Sequence, residues 1–165
     1  MKIFIFNKQT DVSLCSRKTR ITVAFILNFF KIKTDEISVH FVSKKKICSL
    51  HKDLFNDPSF TDTITLPLDS PNQKEVYHVL GECFVCPKAA LDFCYHDKRN
   101  GNMIYQEITL YLIHSILHLI GFEDISEKGK KMMRLKEKLV LNEIINNNLI
   151  LSPKKSYQSF VNKVY

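Results

Sequence analysis

The 165-residue sequence contains no apolar run of the ~20 residues that a membrane-spanning helix needs. Its most apolar stretch, Ile108–Asp124 (ITLYLIHSILHLIGFED), is interrupted by two histidines. A secretory leader is not apparent either. Ile21–Phe30 is apolar and preceded by Arg17, Lys18 and Arg20, but Met1–Phe6 already reads as a strand and no small-residue cleavage site follows. Internal repeats and low-complexity segments are missing. Cysteine is sparse, and its count is odd: Cys15, Cys48, Cys83, Cys86 and Cys94 are scattered, a pattern that favours reduced thiols over a disulfide framework. These absences predict a cytoplasmic protein with no membrane partner. A chain of this length with 45% hydrophobic residues has enough apolar material for one core.

Positive charge is present but uneven. Residues 125–165 hold nine Lys/Arg against three Glu, a net of +6, whereas the first 124 residues are nearly balanced. A basic face beside a catalytic site suits a polyanion such as RNA; a solvated helix face with a basic tail gives the same composition.

Read in order, Met1–Phe6 alternates as a strand and Ser16–Lys31 has the spacing of a helix packed on a sheet. Glu36–Val42 is a second strand with Ile37, Val39 and Phe41 on one side, and Lys44–Phe55 a short helix. Thr61–Leu68 is a third strand, ended by Pro67. Val76–Cys86 reads as a fourth strand broken at Gly81, with Pro87 opening a helix that runs to Tyr95. After the polar linker His96–Asn102, a long central helix spans Met103–Ile120. Ser126 caps a last helix, with Met132, Met133, Leu135, Leu139 and Val140 expected on its inner side and its lysines outside. The expectation is an α+β fold: a four-stranded mixed sheet packed with about five helices. Residues 1–150 form the single domain and 151–165 a loosely held basic extension.

His114 and His118, four residues apart, project from one face of the central helix. Gly121 is suited to close that helix, and Asp124 follows closely enough to swing back. Two nitrogens and a carboxylate converging there make a three-point metal site with room for water. The pattern His114-x3-His118-x2-Gly121-x2-Asp124 has the ligand spacing of zinc peptidases, H-E-x-x-H-x-x-G-x-x-H/D. The general-base glutamate of those enzymes is replaced by Ser115, whose hydroxyl cannot take a proton as a carboxylate does. Peptidase chemistry is thereby disfavoured. Cys83-x2-Cys86 offers no second metal site, because strand residues i and i+3 face opposite sides. His40, His51, His78 and His96 are isolated and read as structural or surface residues.

The motifs together resemble the bacterial YbeY family of metal-dependent endoribonucleases. HSILHLIGFED at His114–Asp124 is similar to that family's H-G-x-L-H-L-x-G-Y-D-H. TDTITLP at Thr61–Pro67 is similar to its T-D-V-L-S-F-P strand, and LGECFVC at Leu80–Cys86 to its L-G-D-I-V-I-S strand. The resemblance runs from about Met1 to Ile145. It implies a zinc-dependent, single-strand-specific endoribonuclease of late ribosome maturation that processes the 16S rRNA 3′ end, with ribosomal RNA and the small subunit as partners.

Carried over by position, it implies zinc held by His114, His118 and Asp124, with His114 catalytic. Glu107 and Met133 fall where the family places a supporting glutamate and methionine; Glu107 reads equally as an exposed first-turn residue. The usual third ligand is histidine, and with aspartate instead the site would also accept Fe2+ or Mn2+. Glu123 competes for that place, but the spacing favours Asp124. Lys128, Lys131, Arg134 and Lys138 on the last helix are the expected RNA contacts. The family's functional arginine, in L-N-x-x-Y-R, falls on Phe55 of LHKDLF (Leu50–Phe55), so a stabiliser of phosphate charge is missing; Lys52 and Lys98 are candidate substitutes. That departure keeps open a catalytically weakened, metal-stabilised RNA-binding module.

Overall fold

Strand residues alternate sides, so one apolar face per strand is enough to found a sheet. In the computed structural model, residues 1–154 are described except 72, 74, 75 and 97–100. The strands β1 (Lys2–Asn7), β2 (Glu36–Phe41), β3 (Thr63–Pro67) and β4 (Val79–Val85) form one sheet in the order β1-β2-β4-β3. β1, β2 and β4 are parallel, and β3 runs antiparallel on the β4 edge. Ile37, Val39 and Phe41 of β2 and Leu80, Cys83 and Val85 of β4 are buried in the main core. On the other face a smaller cluster gathers Val42, Ile47, Ile64, Cys86 and Ala89. Cys83 and Cys86 thus lie in different clusters, both as free thiols, and burial pushes both above the ordinary thiol pKa.

Five helices are present among the described residues: α1 (Ser16–Phe29), α2 (Lys44–Phe55), α3 (Pro87–His96), α4 (Gly101–Leu119) and α5 (Glu127–Asn146). Ser43 caps α2 by accepting the Lys46 N–H, and Asn56 closes it in the left-handed conformation. α4 crosses β3 and β4 and is flanked by α3 and α5. Its Ile108, Leu112, Ile113, Ile116, Leu117 and Leu119 are fully buried, each stabilising the fold by about 1.5–3 kcal/mol. Among the described residues no helix is long and apolar enough to cross a membrane.

Several expectations need correction, among them the start of β4, which lies at Val79 and not at Val76. β4 is not broken at Gly81. The glycine (φ +144) sits in a bulge, since Glu36–Ser38 of β2 spans Val79–Glu82 of β4. A Cβ at Gly81 would strike the Leu66 carbonyl oxygen and lie 2.7 Å from Leu119 Cδ2, so glycine lets the end of α4 rest on the sheet.

Only part of the expected inner side of α5, Met133 and Val140, is buried. Met133, Val140 and Ile144 are buried, whereas Met132, Leu135 and Leu139 are 40%, 60% and 45% exposed. The stripe Met133–Glu137–Val140–Ile144, spaced by three and four residues, is the one turned to α4. Finally, residues 151–154 are built into the domain. Leu151 is buried and its N–H donates to Thr109 Oγ1 at 3.1 Å, and the Ser152 carbonyl accepts from the Cys15 N–H at 2.9 Å. Residues 155–165, the remainder of the expected extension, lie outside the described residues.

Candidate metal centre

The helix end builds the site. Gly121 (φ +93) sends its N–H to the His118 carbonyl, and the Phe122 N–H returns to the Leu117 carbonyl, both at 3.0 Å. This paired closure needs a left-handed residue. It folds the chain back over the last turn of α4, so the Phe122 carbonyl accepts His118 Nδ1–H at 3.0 Å. Asp124 Oδ1 then lies 3.8 Å from His118 Nε2. Ser126 accepts the Gly129 N–H at 3.0 Å, and α5 starts immediately.

α5 returns antiparallel to α4 and brings Glu137 Oε1 to 2.6 Å from His114 Nδ1. Each imidazole therefore spends Nδ1 on an acceptor and keeps Nε2 for the centre. The two Nε2 atoms stand 3.1 Å apart, with the rings nearly perpendicular. Because Phe122 offers only a carbonyl, His118 carries its proton on Nδ1 and turns a lone pair toward His114. Two such lone pairs in contact demand a proton or a cation between them. Nitrogens bound at ~2.0–2.1 Å to a tetrahedral ion lie roughly 3.3 Å apart, close to the spacing found. His114, His118 and Asp124 place one donor atom each within 4.8 Å of one another. The donor set fits a borderline or hard divalent cation.

Electrostatics differ between the two rings. Burial disfavours the His114 cation, but the hydrogen bond and charge of Glu137 outweigh it, and its pKa stands above the ordinary value. For His118, burial together with the neighbouring His114 lowers the pKa despite Asp124. Ser115 points into the core, fully buried, and its hydroxyl has no partner among the described residues.

The remaining expected residues are dispersed. Glu107 hydrogen-bonds Tyr111, whose pKa is raised first by burial and then by this carboxylate; both Nδ1 atoms are already taken by Glu137 and Phe122. Met133 is buried in the core. Glu123 lines the cleft but is outside the three-donor cluster. Lys128, Lys131, Arg134 and Lys138 are exposed on α5. Lys131 and Arg134 line a separate shallow hollow with Glu127 and Lys130. None of these four basic residues borders the histidine cleft. Lys52 is exposed on α2 and does not line the cleft either; Lys98 falls outside the described residues, as does the side chain of His96.

The cleft itself encloses about 620 Å3 between β3, the end of α2 and the turn after α4, with Phe55, His51, Asp62 and Phe122 on its walls. Sequence reasoning missed Glu137, Asp62 and the placement of His51. Glu137 carried one usable signal: it is the acidic residue on the stripe that begins at Met133.

The chain is similar to known proteins over most of its length. The chain matches the family model described as Endoribonuclease YbeY over residues 4–145. It is 38% identical to the Endoribonuclease YbeY of Chlamydia felis over 152 residues, covering 92% of this chain and 96% of that protein. To the Endoribonuclease YbeY of Chlamydia pneumoniae it is 40% identical with the same coverage. The solution structure of TM1509 from Thermotoga maritima shares the fold, with a TM-score of 0.57 and 24% identity over 94% of this chain and all of that one.

Proposed function

Since this chain belongs to the endoribonuclease YbeY family, it is a hydrolase of RNA phosphodiester bonds, and we propose that it is a zinc-dependent enzyme cutting single-stranded RNA in late ribosome maturation. The proposed substrate is ribosomal RNA on the small subunit, at the 3′ end of the 16S molecule, in the cytoplasm. The observation that carries the metal dependence is the pair of Nε2 atoms 3.1 Å apart with Asp124 alongside.

His114, His118 and Asp124 would hold the ion. When bound, it supplies Lewis acidity toward a phosphate oxygen and toward water. Glu137 fixes the tautomer and the ring plane of His114, and the Phe122 carbonyl does the same for His118. Asp124 in place of a third imidazole makes the site less positive, so Fe2+ and Mn2+ are alternative occupants. Hydrolysis forms a bond from water oxygen to phosphorus and breaks one from phosphorus to a ribose oxygen. Lys128, Lys131, Arg134 and Lys138 lie outside the cleft, suited to attracting the flanking backbone.

The test compares wild type with His114→Ala on ribosomal RNA, with zinc, iron(II) and manganese supplied separately. Cleavage by wild type alone is expected, and equal cleavage by both overturns the reading. One observation favours a second reading: no Lys or Arg lines the cleft among the described residues, as befits a catalytically weakened RNA-binding module. RNA binding that persists in wild type without cleavage would select it. Peptidase action has no comparable support, because Ser115 faces the core.

A further inference from the structure

We infer that Phe55 is the stacking platform on which this cleft receives an unpaired RNA base. The inference rests on the proposed RNA substrate and names how the site would select single strands. Phe55 is the last residue of α2; Asn56 (φ 56) ends the helix by turning its N–H to the Lys52 carbonyl. That stop leaves the Phe55 ring 58% exposed, on the wall of the cleft that also contains His114 and His118.

The ring is not loose. His51, one turn earlier, lies against it with centroids 5.3 Å apart, and His51 Nδ1 is itself tied to the Ser59 carbonyl at 3.1 Å. An oriented, largely uncovered aromatic face is therefore presented beside the metal centre. Phe122 also lines the cleft, with the Phe30 ring and the Lys136 ammonium each 6.0 Å from its ring.

The charge of the walls points the same way. The acidic groups bordering the cleft are Asp62, Asp69 and Glu123, and no Lys or Arg accompanies them among the described residues. Apart from the candidate ion site, these walls give phosphate no cation among the described residues, so away from that site a strand is held through its bases. Every base has a π-face and stacking on an aromatic ring is sequence-tolerant. A duplex hides those faces, and only an unpaired nucleotide can offer one to Phe55. Selectivity for single strands then follows from stacking rather than from charge.

Two variants test this. The sequence contains no tryptophan, so Phe55→Trp in the full chain provides a fluorophore with no background. Its emission should be quenched by a short single-stranded phosphorothioate RNA and not by that RNA annealed to its complement. Phe55→Leu keeps bulk and apolarity but removes the π-face. It should weaken single-strand binding roughly ten- to hundred-fold, with Phe55→Tyr close to wild type and metal content unchanged. Leucine binding as tightly as phenylalanine, or equal quenching by single strand and duplex, overturns the inference. Should wild type cleave RNA while Phe55→Leu binds normally, the platform fails and the proposed function stands. Wild type that neither binds nor cleaves RNA overturns both.

Discussion

His78 is buried and the pair His114/His118 half-buried, and the molecule uses them oppositely. His78 is 5% exposed, and both ring nitrogens are committed: Nδ1 lies 2.9 Å from Thr34 Oγ1, and Nε2–H donates to the Ser70 carbonyl at 3.0 Å. The loop before β2 and the loop before β4 are pinned through that ring. At the α4 end each imidazole spends only Nδ1, and the two remaining nitrogens aim at one point. Burial alone does not separate a structural histidine from a candidate ligand, since His40 and His51 are half-buried like the pair. What separates them is whether a nitrogen is left over and whether a second one converges on it.

Removing one of the converging nitrogens should break that contrast most severely. In His118→Ala, bound metal measured by elemental analysis should fall from about one ion per chain to background, since two protein donors do not hold a divalent cation well. Full occupancy in the variant would mean the cluster is not the site.

A milder change tests the carboxylate behind the ring. Glu137→Gln keeps an acceptor for His114 Nδ1–H but removes the charge, and metal affinity by competition with a chelator should drop about 10- to 100-fold. Unchanged affinity would show that Glu137 only fills space.

His78→Phe makes the opposite prediction. Stability in denaturant should fall by about 1–3 kcal/mol because the Ser70 carbonyl loses its donor, while metal content stays at the wild-type level. Loss of metal there would erase the distinction between the two classes.

The smallest effect belongs to His40. It is stacked between Phe6 and Phe84, with centroids 4.7 and 4.6 Å away. Burial lowers its pKa, and Glu82 offsets this only in part. A histidine whose folded pKa is depressed is protonated first in the unfolded chain. Stability is thus fully present above ~6.5 and declines as pH falls through the folded pKa. His40→Phe should flatten that decline by a small amount; identical slopes for variant and wild type between about pH 7.5 and pH 5 would contradict it.

Much of this was readable in advance because it is local. The bounds expected for α2 coincide with those found, since Ser43 and Asn56 mark its two ends. His114, His118, Gly121 and Asp124 declare themselves by spacing, because a helix and the turn that closes it are short-range structures. The narrower buried stripe of α5 was not readable. Met132, Leu135 and Leu139 have a helical period as good as that of Met133, Val140 and Ile144, and only packing against α4 chooses between them. Taking both stripes as inward, of which Met133 and Val140 are buried as expected, hid Glu137, whose role exists only once α5 lies across His114. The expected start of β4 at Val76 failed for a related reason: the His78 N–H donates to Asp35 Oδ2, a residue remote in sequence, and pairing begins at Val79. Gly81 read as a break because a glycine in a strand signals either interruption or close approach, and the approaching groups, Leu66 and Leu119, are remote in sequence.

The turn through Gly121 carries a kinetic consequence. Three duties fall on the same few peptide units: terminating α4, bonding His118 through the Phe122 carbonyl, and delivering Asp124. Fraying of that segment would surrender two of three donors in one event, so ion escape and solvent access to the Phe122 amide should share a single clock.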